Sequence, residues 1–351
     1  MSQIDVERQA LYSRLSSIES DLSRASSAIN EARNNVASVE GAMSSLPSRL
    51  TSIRGRGYAA LGHLETDIDS LSKRWNDVAS GVKQTLVCNV EPLASQVNSL
   101  QTEARGLRSQ IGSGNISCGQ SLESNLSVAA SSICSKAVSE ADRVNIPIQD
   151  LFSCVKVIDD DLKLAEKTLV LFGQANFPLK ECECSVLAFD GKILTGDKSD
   201  GTLYFTNQRF VFEAKKEVAL EKKLFIVTKK RIDRTVVIDQ PVGAIKEIAK
   251  GRVGIIAWTG IFVRFKPGSQ AEETQFDVEG GEADTIIKFF DYLTNGEADR
   301  DIAKIKGTTA TVAPSKQLVQ CTCCFAPYTR EVYQGQKTVK CEYCGTQIVI
   351  Q

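Results

Sequence analysis

The sequence predicts a multidomain chain: an all-helical antiparallel coiled-coil rod, then a small antiparallel β-barrel with a helix at its C-terminal end, then a small β unit held by a metal ion. Three observations carry this expectation. Apolar residues recur about every 3.5 positions through the first half. From about residue 180 the pattern changes to the period-two alternation of strands. Near the C-terminus Cys321 and Cys324, then Cys341 and Cys344, form two C-x-x-C pairs. The expected boundaries are 1–175 for the helices, 176–295 for the barrel, 296–316 for a linker and 317–351 for the metal-bound unit.

The helical part reads as three runs. The first, from Leu11, Leu15, Ile18 and Leu22 to Leu46, Leu50 and Ile53, steps alternately by four and three, and Pro47 is expected to kink or end it. Gly55, Gly57 and Gly62 then mark a flexible joint. A second run goes from Leu64 to Ile111, with two steps of four in succession at Val82, Leu86 and Val90. That stutter locally unwinds a supercoil. A third run goes from Leu122 to Phe172, and the turn Gly112–Asn115 should fold the second and third runs into a hairpin. Each arm would reach roughly 80 Å at 1.5 Å per residue. The predicted seam contains almost no ionisable residue, so it reads as a packing surface that could also self-associate, not a cofactor bundle. His63, the single histidine, falls in the glycine joint and reads as solvated.

After residue 180, Val186, Ala188 and Ile193 precede a turn, and G-T-L-Y-F-T-N-Q-R-F-V-F-E (201–213) reads as two strands around Thr206–Gln208. Further strands are expected at 223–228, 234–239, 243–249, 252–258, 260–266 and 274–278, and an amphipathic helix at 282–294. Seven or more short strands and one helix fit a partly open barrel plugged by that helix. The residues Gly201, Leu203, Tyr204, Thr206, Asn207, Arg209 and Phe212 make this stretch, over roughly 178–295, resemble the GRAM and pleckstrin-homology-like superfamily. The resemblance implies a domain that binds phosphoinositides in some proteins and other proteins in many. Where such domains bind phosphoinositides, basic residues crowd the loop between the first two strands. Here that loop, 195–201, has Lys198 between Asp197 and Asp200. The net-positive cluster is Lys229, Lys230, Arg231 and Arg234, opposed only by Asp233, and it could contact an anionic surface weakly. Cys182 and Cys184 form a C-x-C pair whose thiols would share one face of a strand.

The linker's Gly, Thr, Ala and Pro content after Gly307 cannot form a core. Beyond it, two thiols three positions apart can grip one metal ion from a tight turn, and a second such turn completes a tetrahedron. Cys321, Cys324, Cys341 and Cys344 are therefore the expected ligands, with Cys323 a spare thiol that breaks the spacing. Four thiolates leave no open position, so the expected cofactor is structural Zn, with an iron site as rival. The last thirty-five or so residues resemble a zinc ribbon. The first knuckle has Phe325 where the second has Gly345, so its turn is expected to be less regular.

Composition narrows the function. The formal net charge is −1, and 24% charged with 42% hydrophobic residues is ordinary for a soluble protein. No global basic field attracts nucleic acid or membrane. Eleven cysteines, several scattered singly through helical sequence, suit a reducing compartment. The first residues lack a secretory pattern, so a cytoplasmic protein is expected, with any membrane association peripheral. No nucleophile–histidine, paired-carboxylate, P-loop or dinucleotide pattern is present. The expectation is a non-enzymatic scaffold or adaptor with protein partners. The alternative is a nucleic-acid- or transcription-associated protein, in which Arg330, Lys337 and Lys340 lie among the ribbon's aromatic residues.

Overall fold

A computed structural model describes residues 3–113, 116–223, 226–254, 258–269, 272–307, 320–328, 338–341 and 343–349. The chain divides into two compact units, Met1–Ser48 with Asp67–Asp159, and Arg49–Thr66 with Asp160–Gln351. The long helices α1 (Gln3–Gly55), α2 (Leu64–Thr85), α3 (Glu91–Gly112) and α4 (Ile116–Phe172) contribute to them. No helix among the described residues is long and apolar enough to cross a membrane.

In the first unit, ion pairs and one amide hydrogen bond give the helix directions. Glu19 with Arg108, Arg33 with Glu91 and Glu40 with Lys83 run α1 antiparallel to α2 and α3. Arg14 with Glu123 and Asn35 with Asn145 run α1 parallel to α4. Leu15, Ile18, Leu22, Ala25 and Ile29 are buried as the heptads predict. Two details differ. Leu122, expected in the seam, is exposed, while Glu123 is buried against Arg14 at 3.5 Å, one position round the helix. Pro47 does not end α1, which continues to Gly55. A proline inside a helix costs about 3 kcal/mol, and burial of Leu46, Leu50 and Ile53 offsets this at about 2 kcal/mol each. The stutter falls where Leu86–Val90 form a π-helical turn. The extra residue re-registers the seam and accommodates Pro92, which has no N–H to donate back to that turn.

The second unit is built on one seven-stranded antiparallel sheet: β1 (Ser185–Ile193), β2 (Ser199–Thr206), β3 (Arg209–Lys223), β4 (Ile226–Pro241), β5 (Ile245–Val253), β6 (Trp258–Phe265) and β7 (Glu273–Asp277). Its order is β4-β3-β2-β1-β7-β6-β5, so β4 and β5 are free edges and the sheet is not closed. The strands expected at 223–228 and 234–239 are one strand, β4. Those expected at 243–249 and 252–258 are replaced by β5, with residues 255–257 outside the described set. Helix α5 (Glu282–Thr294) lies where its apolar face predicts, burying Ala283, Ile286, Phe289 and Leu293. Part of the expected linker is instead helix α6 (Glu297–Lys306), which buries Ala298, Ile302 and Ala303. Residues 308–316 lie outside the described set.

The motif residues of β2 and β3 each have a physical task. A side chain at Gly201 would meet the Glu213 carbonyl at 2.4 Å, so only glycine lets the strands approach. Thr206 Oγ1 accepts from the N–H groups of Gln208 (3.1 Å) and Arg209 (2.7 Å) and donates to Glu183. Asn207 Oδ1 accepts from the Cys184 N–H at 2.8 Å. Arg209 makes two bonds to Glu183, at 2.8 and 2.9 Å, one to Asp239 and one to the Pro178 carbonyl, fixing segment 178–184 to the sheet. Tyr204 stacks edge-on with Phe172 and Phe177, at 5.0 and 5.1 Å, and its hydroxyl donates to the Leu171 carbonyl.

The glycine joint is not a loose hinge. Tyr58, Ala59, Ala60 and Leu61 are all buried in the second unit, and the Tyr58 hydroxyl donates to the Val186 carbonyl at 2.9 Å. Arg54 ties the turn, donating to the carbonyls of Tyr58, Ala60 and Leu61 and to Glu65. The N–H groups of Leu61 and Gly62 donate to Tyr292 Oη (3.0 Å) and the Asp301 carboxylate (2.8 Å) on α5 and α6. His63, expected to be solvated, is half-exposed and lies 3.3 Å from Asp161.

Candidate metal centre

Two short turns build the site. In the first, the Cys321 N–H donates to the Ala326 carbonyl (2.9 Å) and the Phe325 N–H to the Cys321 carbonyl (2.9 Å). The second repeats this pattern with Cys341, Thr346 and Gly345, at 2.8 and 3.0 Å. Phe325 has φ 57° and Gly345 φ 73°, so both knuckles end in the left-handed region. The first turn is thus as regular as the second, a correction to the sequence reading, and the cost falls on Phe325. A side chain there clashes with its own backbone, at about 1–2 kcal/mol, while its ring is 75% exposed. The hairpin of β8 (Thr338–Lys340) and β9 (Gln347–Val349) carries the second knuckle at its turn. Its core is Cys321, Val339, Cys341 and Ile348, with Tyr328 packed on it. Four side chains are too few to hold such a unit without a staple.

The Sγ atoms of Cys321, Cys324, Cys341 and Cys344 all lie within 4.8 Å of one another. Cys321 to Cys344 and Cys324 to Cys341 are each 3.5 Å. A tetrahedron with metal–sulfur bonds of about 2.3 Å has sulfur–sulfur edges of about 3.8 Å, whereas a disulfide needs about 2.05 Å. The donor set therefore fits a metal ion such as zinc. Charge argues the same way. The Thr346 hydroxyl, 3.2 Å away, and its backbone N–H draw the Cys344 thiol down to about 6. At Cys324 the Ala326 N–H pulls downward, but desolvation and the neighbouring thiols prevail and hold it up at about 12. One thiolate suppresses the next, and a cation lifts that conflict. Cys323 is exposed and outside the cluster.

The other expected site residues are dispersed. Arg234, its side chain 14% exposed, bonds Glu213 at 3.3 Å and Gln174 at 2.9 Å. The side chains of Lys229, Lys230 and Arg231 lie outside the described set, as do Arg330 and Lys337. Cys182 is exposed with φ 59° while Cys184 is buried, so the pair does not present one face. A cleft beside the β1–β2 hairpin is lined by Asp190, Asp200, Asp277 and Glu279 against Lys192 and Lys215. Lys215 pairs with Asp190 at 2.5 Å and Lys192 with Asp200 at 3.7 Å. This cleft is acidic, with both lysines already paired.

No protein-family model matches the chain, and no curated protein is similar enough to match. Among solved structures, the Vps36 N-terminal PH domain aligns at 12% identity over 37% of this chain and 86% of that one, with a TM-score of 0.22. The DH/PH domains of p115-RhoGEF (R399E mutant) align at 10% identity over 84% of this chain and 98% of that one, TM-score 0.24. Autoinhibited Vav1 aligns at 9% identity over 99% of this chain and 67% of that one, TM-score 0.27. At such scores these likenesses decide neither fold nor function.

Proposed function

We propose that the chain is a non-enzymatic adaptor in which a coiled-coil region supplies reach and self-association, and a PH-like domain and a zinc ribbon make contacts with protein partners. The observation that carries this reading is the four-thiol cluster: a closed sulfur tetrahedron stabilises a fold and leaves no position for substrate. Zinc at Cys321, Cys324, Cys341 and Cys344 then holds a small contact surface together. The PH-like assignment is supported by the motif contacts of Gly201, Tyr204, Thr206, Asn207 and Arg209 and by helix α5 following the seventh strand. The acidic cleft, in place of a basic headgroup pocket, favours protein recognition by this domain. Peripheral contact with an anionic membrane would rest on Lys229, Lys230 and Arg231, since Arg234 is engaged internally.

Co-sedimentation of the full chain with phosphatidylserine vesicles tests the balance between these uses. Weak binding that disappears by physiological salt, where the Debye length is about 8 Å, is expected. Tight, stereospecific phosphoinositide binding would show that the domain is a headgroup receptor. A salt-dependent mobility shift with DNA or RNA, of the kind phosphate contacts produce, would favour the nucleic-acid alternative.

A further inference from the structure

Inside the first unit, α4 leaves apolar side chains uncovered. Ile146 is 71% exposed and Val157 61% exposed. They lie about three helical turns apart and so share one face, with Asp150 one turn beyond Ile146. Beside Val157 a groove of about 340 Å³ runs between α4 and α2, lined by Ser70, Leu71, Arg74, Cys154, Val157 and Ile158. Its floor is buried, Leu71 being 2% and Ile158 3% exposed. Arg74 stands at the lip, 3.5 Å from the Cys154 sulfur. Among the described residues neither Arg74 nor Asp150 has an ion-pair partner, and both are exposed.

The geometry points to a two-fold contact between two copies of this chain, made by antiparallel α4 helices, with Ile146 of each copy seated in the groove of the other. It rests on the self-association in the adaptor reading and gives that self-association a surface. When Ile146 is set opposite Val157 of the second copy, the two-fold makes the second copy's Ile146 face Val157 in return. The same register sets Asp150 opposite Ser153 of the other copy, next to Cys154 and so beside Arg74. Both unpaired charges then find partners, twice in the dimer. One register thus fills both grooves and pairs all four charges. A parallel two-fold pair sets Ile146 on Ile146 and Asp150 on Asp150, which leaves the grooves empty and opposes like charges. A small molecule would fill the groove but leave Ile146 and Asp150 in water.

Sedimentation equilibrium of the full chain tests this. The wild type should dimerise reversibly. Ile146→Arg, at an exposed position, should leave the thermal melt unchanged and weaken the dimer at least about a hundredfold, since two aliphatic side chains lose their burial. Arg74→Glu alone sets like charges together at both contacts, as does Asp150→Arg alone, so each should weaken the dimer about tenfold or more. Mixing these two variants should restore dimerisation to about the wild-type level, because every contact in the mixed dimer then joins opposite charges. Pairing within one chain cannot give that recovery. A dimer that survives Ile146→Arg, single charge variants that associate like the wild type, or no recovery on mixing would each overturn this surface while leaving self-association standing. A wild type that stays monomeric at millimolar concentration would overturn the self-association as well.

Discussion

Single residues set the strongest constraints. Glu183 and Arg209 form a buried pair, their side chains 0% and 5% exposed. Burial pushes the Glu183 carboxyl upward, but the hydrogen bonds from Arg209, the Lys180 N–H and Thr206 more than reverse this and hold it below the usual carboxylate range. A depressed folded-state value gives stability that is complete above the unfolded carboxylate range, near about pH 4.3, and is lost as pH falls through the lower folded value. Acid titration of stability should therefore show a loss beginning below about pH 4 that Glu183→Gln removes. Arg209→Ala, which strands a buried carboxylate, should cost about 3–5 kcal/mol in denaturant melts. A cost under about 1 kcal/mol would place the pair in solvent. At Phe325 the sign is opposite: Phe325→Gly relieves the left-handed strain and should raise ribbon stability by about 1 kcal/mol. If the ring's 75% exposure serves a partner contact, the same change should weaken that contact.

At the scale of elements, the buried turn between α1 and α2 is the least expected feature. Glycines at 55, 57 and 62 suggested freedom, yet two of them serve geometry. Gly57 takes φ 89° just beyond α1, and a side chain at Gly62 would lie 2.6 Å from Asp301. Tyr58→Ala should cost about 3–5 kcal/mol of second-unit stability. Tyr58→Phe, which loses only the bond to Val186, should cost about 1 kcal/mol. Hydrogen exchange at Leu61 and Gly62 should accelerate in the alanine variant, and unchanged protection there would show that the turn holds without its anchor. Periodicity made the long helices, the β2–β3 turn and α5 legible, because each repeats a local pattern over many residues. The turn's burial, the merging of strands into β4 and the paired state of Arg234 were not legible. They depend on partners distant in sequence, such as Asp301 for Gly62 and Glu213 for Arg234. Helix α6 was missed because Gly296 and Gly307 bracket it so closely that its apolar positions, Ala298, Ile302 and Ala303, look like linker.

For the molecule as a whole, the adaptor reading makes the metal structural and separable from the long helices. Chelation should unfold the ribbon, collapsing near-ultraviolet signals of Tyr328 and Tyr343, while far-ultraviolet helical signal is retained; loss of helical signal on chelation would tie the helices to the metal. The clustering of the four thiols was legible in spacing alone, since C-x-x-C encodes the local turn, and Cys323 was set aside by the same rule. Metal content of the purified full chain tests the reading at its firmest point, measured for the wild type and for Cys323→Ser and Cys324→Ser. One zinc per chain is expected in the wild type and in Cys323→Ser, with zinc lost from Cys324→Ser. A wild-type chain without stoichiometric metal, or equal loss from both variants, would contradict it.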